Sequence, residues 1–163
     1  MEKSKKSLKE KLIHQLKNMR VVERGSFVLH SGSLSNYYID VKKAYGDPTT
    51  LALLAEALAH NLPKGATCIA ATGHGGIPLA TAVSLKAKLP LTLVHDSTKN
   101  HGKENLLDGY EPGPKDKLVL IDDVCTTGGS AHDMASTLKE RGAEVIGLMV
   151  AVVRGTPNVS FPV

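Results

Sequence analysis

At 163 residues, 42% of them hydrophobic and 22% charged, the chain is long enough for a single domain to bury a core without disulfides or structural metal. No apolar run approaches the ~20 residues that cross a bilayer, and the basic start from Met1 to Ser7 leads into an amphipathic pattern instead of an export signal, so a cytoplasmic address is expected. The net charge of +4 owes much to Lys3, Lys5, Lys6, Lys9, Lys11 and Lys17 on one solvated segment, and aromatic residues are only 4%, so a nucleic-acid partner is not indicated.

Leu8, Leu12, Ile13, Leu16 and Met19 recur at helical spacing and predict a flanking helix over 4–19. From Gly25 to Asp40, apolar residues alternate on either side of a Ser/Gly turn, the pattern of a hairpin. Asp47-Pro48 marks a helix start, and Leu51 to His60 has high helix propensity before Pro63. An alternation follows: strand 67–71, helix 77–87, strand 89–94, strand 118–121, helix 130–141 ending at Gly142, and strand 145–153. This order predicts an α/β fold with a mainly parallel, doubly wound sheet and a binding crevice at the carboxyl ends of its strands.

The expectation is one domain over 1–163, with an amino-terminal flank or hood to about residue 45 and the core sheet over about 65–155. The polar stretch 96–117 holds Gly102, Gly109, Pro112, Gly113 and Pro114 and exceeds an idle connection, so it is read as a mobile active-site loop. Cys68 and Cys125 have no second Cys or His at ligand spacing, which excludes a disulfide framework and structural zinc.

The run from Leu118 to Ser130 carries the chemistry. A buried strand delivers Asp122 and Asp123, then Thr126, Thr127, Gly128, Gly129 and Ser130, straight into a helix. Amides at the turn and helix start, with the Thr and Ser hydroxyls, suit a phosphate monoester, and the glycines permit close backbone approach. The two carboxylates suit ribose hydroxyls, or Mg²⁺ held through water or substrate. A phosphorylated sugar fits both halves, whereas an ordinary capped turn needs only one such residue. The Walker and dinucleotide glycine patterns are both absent.

This run resembles the phosphoribosyl pyrophosphate motif of the type I phosphoribosyltransferases, and further segments resemble the orotate-specific branch in the right order. Phe27 to Asp40, with Ser31-Gly32 and the pair Tyr37-Tyr38, is similar to that branch's amino-terminal segment, which implies tyrosines near the base. Ala70 to Pro78 is similar to its pyrophosphate loop, with His74 and Gly75 where the loop usually ends in lysine. Lys99-Asn-His101-Gly102 resembles its flexible catalytic loop, which implies Lys99 and His101 at the departing diphosphate. Val152-Val153-Arg154 resembles the strand end whose arginine pairs with orotate's carboxylate.

The resemblance implies Mg²⁺-dependent transfer of phosphoribosyl from phosphoribosyl pyrophosphate to a nucleobase, orotate first, in a homodimer whose loop reaches a neighbouring subunit. Another base as acceptor, or a nucleotide-binding regulator with impaired catalysis, are the alternatives. Four positions that are cationic in the family are altered: His30, Gly75, His95 and Asp96. Each lost contact to a fixed cation is worth about 1.5–3 kcal/mol, so the pyrophosphate half is the thinner part of the match.

Overall fold

The computed structural model describes residues 2–28, 32–95 and 106–163, with side chains from Leu8 onward. The first helix, α1, spans Glu2–Asn18 and lays Leu12 and Leu16, with Met19 just beyond it, against the core, as their helical spacing requires. Strands β1 (Val22–Val28) and β2 (Leu34–Ile39) form a separate antiparallel ribbon, with Val22 opposite Ile39 and Val28 opposite Leu34. A short 3₁₀ helix over Val41–Gly46 buries Val41 and Ala44 and leads to Asp47. Asp47 then starts α2 (Pro48–His60) by accepting a 2.9 Å hydrogen bond from the Thr50 amide, with Pro48 in the first turn where no amide is needed.

The core alternates as expected: β3 (Cys68–Ala71), α3 (Gly73–Ala87), β4 (Leu91–Val94), β5 (Leu107–Gly109), β6 (Lys117–Cys125), α4 (Gly129–Lys139) and β7 (Glu144–Val153). The five-stranded sheet has the order β5-β4-β3-β6-β7, parallel throughout except for β5 at one edge. Both faces are covered, and successive residues of the central strands serve opposite cores. Ile69, Ala71, Val119 and Ile121 pack with α2 and α3, whereas Cys68, Ala70, Leu118 and Leu120 pack with Met134 and Leu138 of α4. Side chains buried on both faces explain why these strands read as continuous apolar runs.

Three boundaries differ from expectation, each for a physical reason. The stretch 96–117 is not loop throughout: Leu107–Gly109 pairs antiparallel with β4, placing Leu107 opposite Val94, and Leu107 is buried in the core. Three residues are too few to show a period in sequence. The strand expected over 118–121 continues to Cys125, so Asp122 and Asp123 lie within β6 and not after it. Paired carboxylates read as a strand end, but the ladder to β7 continues past them, with Asp122 beside Val150 and Cys125 beside Val153. Finally, α3 begins at Gly73 instead of Ile77, so His74 and Gly75 occupy its first turn.

Candidate active site

In a parallel sheet the carboxyl ends of the strands share one edge, and four of the segments singled out in the sequence follow such an end, while Tyr37 and Tyr38 lie in the separate ribbon. Gly73 to Gly76 follow β3, His95 follows β4, Thr126 to Ser130 follow β6 and Arg154 follows β7. Lys99, His101, Asp96 and His30 lie outside the described residues.

After Cys125, Thr126 and Thr127 are exposed, and Gly128 turns the chain into α4 with φ +90°. A Cβ there would also lie 2.7 Å from Val159, because the segment after Arg154 folds back and the Asn158 amide bonds the Thr127 carbonyl at 2.8 Å. Glycine is therefore demanded twice at this position. The turn encloses a cavity of about 160 Å³ between Asp122, the run Thr126 to Ser130 and Leu148. It opens on the amino terminus of α4, where unpaired amides and the helix dipole favour an anion.

The two acids have different neighbours. Asp122 lines this cavity, and its Oδ1 also lies 3.3 Å from where a Cβ on Gly76 in α3 would stand. Asp123 shares the parity of Val119 and Ile121, faces α3 and is 8% exposed. Its carboxylate accepts from the Val124 amide at 2.9 Å and lies 3.4 Å from the Lys42 ammonium, which is also 3.3 Å from Asp40. Burial, with the nearby Asp123 charge added, holds the Asp122 carboxyl up at about 7, against bonding from the Asp123 amide and the opposing charge of Lys42. Partial burial works against charge on Lys42, but Asp123 and Asp40 outweigh it and raise its pKa.

Gly75 stands directly against Asp123. A Cβ built on Gly75 would fall 2.3 Å from Asp123 Oδ1 and 2.5 Å from its Cγ. The carboxylate fills the space that a side chain at 75 would need. The Tyr45 hydroxyl donates to the Gly75 carbonyl at 2.7 Å and so ties the 3₁₀ helix to the first turn of α3. Burial first, then Asp123, Asp122 and Asp40, push the Tyr45 phenol well above its ordinary range, so it stays a neutral donor. His74 is exposed. His95 Nε2 lies 2.5 Å from Asp108 Oδ2, so this residue is engaged with β5.

Arg154 reaches back to the ribbon. Its guanidinium donates to Ser35 Oγ at 2.8 Å and its Cζ sits 4.8 Å from the centre of the Tyr37 ring, while its amide bonds the Cys125 carbonyl at 2.7 Å. The end of β7 and strand β2 are thereby joined across 119 residues of sequence. The tyrosine pair is split: Tyr38 packs on Phe27, with ring centres 5.6 Å apart, and only Tyr37 stands at Arg154. Neighbours on a strand point to opposite faces, so the two rings stand on different sides of the ribbon.

Residues 50–159 match the phosphoribosyl transferase domain family. The chain is 42% identical over 147 residues to an orotate phosphoribosyltransferase of Methanosarcina acetivorans, covering 90% of this chain and 78% of the relative. The corresponding protein of Methanocaldococcus jannaschii is 40% identical over 146 residues, covering 90% and 82%. The chain belongs to the orotate phosphoribosyltransferases. The crystal structure of the orotate phosphoribosyltransferase from Aeropyrum pernix superposes with a TM-score of 0.78 at 31% identity, covering 90% of this chain and 83% of that one. Membership agrees with the expected type I α/β fold. Among the described residues of this orotate phosphoribosyltransferase-family chain, no helix is long and apolar enough to cross a membrane.

Sequence reasoning missed Ser35, Lys42 and Tyr45. Ser35 lies within the Phe27 to Asp40 segment but carries no mark of its own there, and Lys42 and Tyr45 belong to no motif. Lys42 is 81 residues from its partner Asp123, and only the fold brings them together.

Proposed function

We propose that this chain transfers the phosphoribosyl group from phosphoribosyl pyrophosphate to orotate, giving orotidine 5′-phosphate and pyrophosphate in pyrimidine nucleotide synthesis. The observation that carries the reading is the cavity from Asp122 to Ser130 at the start of α4, built at the same sheet edge as Arg154 and Tyr37. In this reading the hydroxyls of Thr126, Thr127 and Ser130 and the α4 amides take the 5′-phosphate, with Gly128 and Gly129 allowing close approach. Asp122 and Asp123 accept from the ribose hydroxyls. Arg154, already engaged by Ser35 and Tyr37, pairs with the base's carboxylate. His74 and the Gly75 backbone flank the diphosphate, while Lys99 neutralises its charge and His101 donates to the leaving oxygen.

The described residues contain no group of three metal-ligating side chains that would hold an ion alone. Asp122, destabilised as an anion by its burial, and Asp123 fit an ion shared with the substrate's oxygens and water. Mg²⁺ bound in that way would offset diphosphate charge. A homodimer, implied by the family resemblance, belongs to the same reading, as does a cytoplasmic address.

The test pairs calorimetry of phosphoribosyl pyrophosphate with Mg²⁺ and a turnover assay with orotate, with sedimentation for the dimer. Binding together with orotidine 5′-phosphate formation supports the proposal. Binding without turnover on orotate, or turnover only on another base, sinks it.

A further inference from the structure

The proposed site leaves its diphosphate half short of fixed cations, and the fold explains why position 75 does not supply one. The Asp123 carboxylate occupies the volume of a Cβ at Gly75, with all three carboxyl atoms within 2.7 Å of that point. A lysine at 75 and Asp123 in its present place are mutually exclusive.

Lys42 approaches the same carboxylate from the opposite chain direction. Its ammonium lies 3.4 Å from Asp123 and 3.3 Å from Asp40, and its side chain is 48% exposed against 12% for Asp123, so the lysine is the solvent-facing partner of a buried acid. Asp40 Oδ1 is buried and, among the described residues, has no hydrogen bond of good geometry, so it relies on the Lys42 charge. An ammonium carries three donors, and two acids use two directions. The support is rigid: Val41 beside it is fully buried, and Tyr45 pins the same 3₁₀ helix to the Gly75 carbonyl. Lys43, the next residue, leaves in another direction and pairs with Glu23 of β1.

We propose that Lys42 is a positioning residue of the phosphoribosyl pyrophosphate site: it holds the Asp123 carboxylate against Gly75 and turns its remaining donor to the diphosphate, in place of the cation that position 75 has no room to carry. The inference rests on the proposed function for its ligand. It rests on geometry alone for the hold on Asp123.

Calorimetry with phosphoribosyl pyrophosphate and Mg²⁺ is run on the unaltered chain and on Lys42→Met, Lys42→Arg and Lys43→Met, with steady-state kinetics alongside. Lys42→Met is expected to weaken binding ~10–100-fold and to raise KM for phosphoribosyl pyrophosphate by a like factor, leaving KM for orotate unchanged. Lys42→Arg restores most of the loss, and Lys43→Met behaves as the unaltered chain. Equal binding by Lys42→Met overturns the proposal, as does an equal loss in Lys43→Met, which would mark a merely structural role. If the unaltered chain does not bind phosphoribosyl pyrophosphate, the functional reading fails separately. A crystal structure of Lys42→Met then decides the hold on Asp123: a carboxylate turned away from Gly75 supports it, and one left in place overturns it.

Discussion

Replacing Gly75 by alanine adds a single methyl, and its consequences can be worked from three distances. The new Cβ would meet Asp123 at 2.3, 2.5 and 2.7 Å, about 1 Å inside ordinary contact, so the carboxylate must move. Moving it breaks the 2.9 Å bond from the Val124 amide and loosens the approach of Lys42. A hydrogen bond to a charged group is worth about 1.5–3 kcal/mol, whereas alanine in place of glycine in a helix returns about 1 kcal/mol. The net expectation is a stability loss of about 0.5–2 kcal/mol, read by urea denaturation. On the proposed role of Asp123 at the ribose, affinity for phosphoribosyl pyrophosphate, read by calorimetry, is expected to fall ~10–100-fold. Gly75→Lys, which adds the cation that the family resemblance implies here, should bind no better than Gly75→Ala. A Gly75→Ala protein that is about 1 kcal/mol more stable and binds at full strength would refute this reasoning.

The Asp122 carboxyl is held at about 7 in the fold, above its unfolded value of ~3.9, so the folded chain binds the proton more tightly. Its contribution is fully present below pH ~4 and is lost as the pH rises through about 7; in Mg²⁺-free urea titrations Asp122→Asn should flatten this decline and be the more stable protein at pH 8, while binding phosphoribosyl pyrophosphate less well. Arg154→Ala removes the bond to Ser35 and the contact with Tyr37, and should raise KM for orotate ~10–100-fold with KM for phosphoribosyl pyrophosphate little changed. Arg154→Lys should not rescue it, since an ammonium lacks the planar fork. Gly128→Ala forces φ +90° on a residue with a Cβ and drives it into Val159, so denaturation should show a loss of about 1–3 kcal/mol together with weakened phosphate binding.

Elements with their own periodicity or punctuation could be read directly. The α2 start was marked by Asp47 and Pro48, and the central strands by apolar runs such as Leu118 to Ile121. Elements that exist only through a partner could not: Leu107–Gly109 is a strand because β4 offers its free edge, and β6 runs on through two aspartates because β7 pairs with them. At the candidate site, the strand-to-helix turn was legible because its residues are consecutive. The split of Tyr37 from Tyr38 follows from strand parity, but only the tertiary contact of Arg154 shows which of the two faces the site.

The amino-acid sequence by itself determined the α/β alternation, the strand-to-helix turn from Asp122 to Ser130 and the family, since all three depend on residues near one another along the chain. The tertiary structure alone decided what stands opposite that turn. Asp123 takes the room a side chain at 75 would need, Lys42 supplies charge from 81 residues away, and Ser35 holds Arg154 across the molecule. Such contacts arise from packing between distant segments, and no spacing along the chain encodes them.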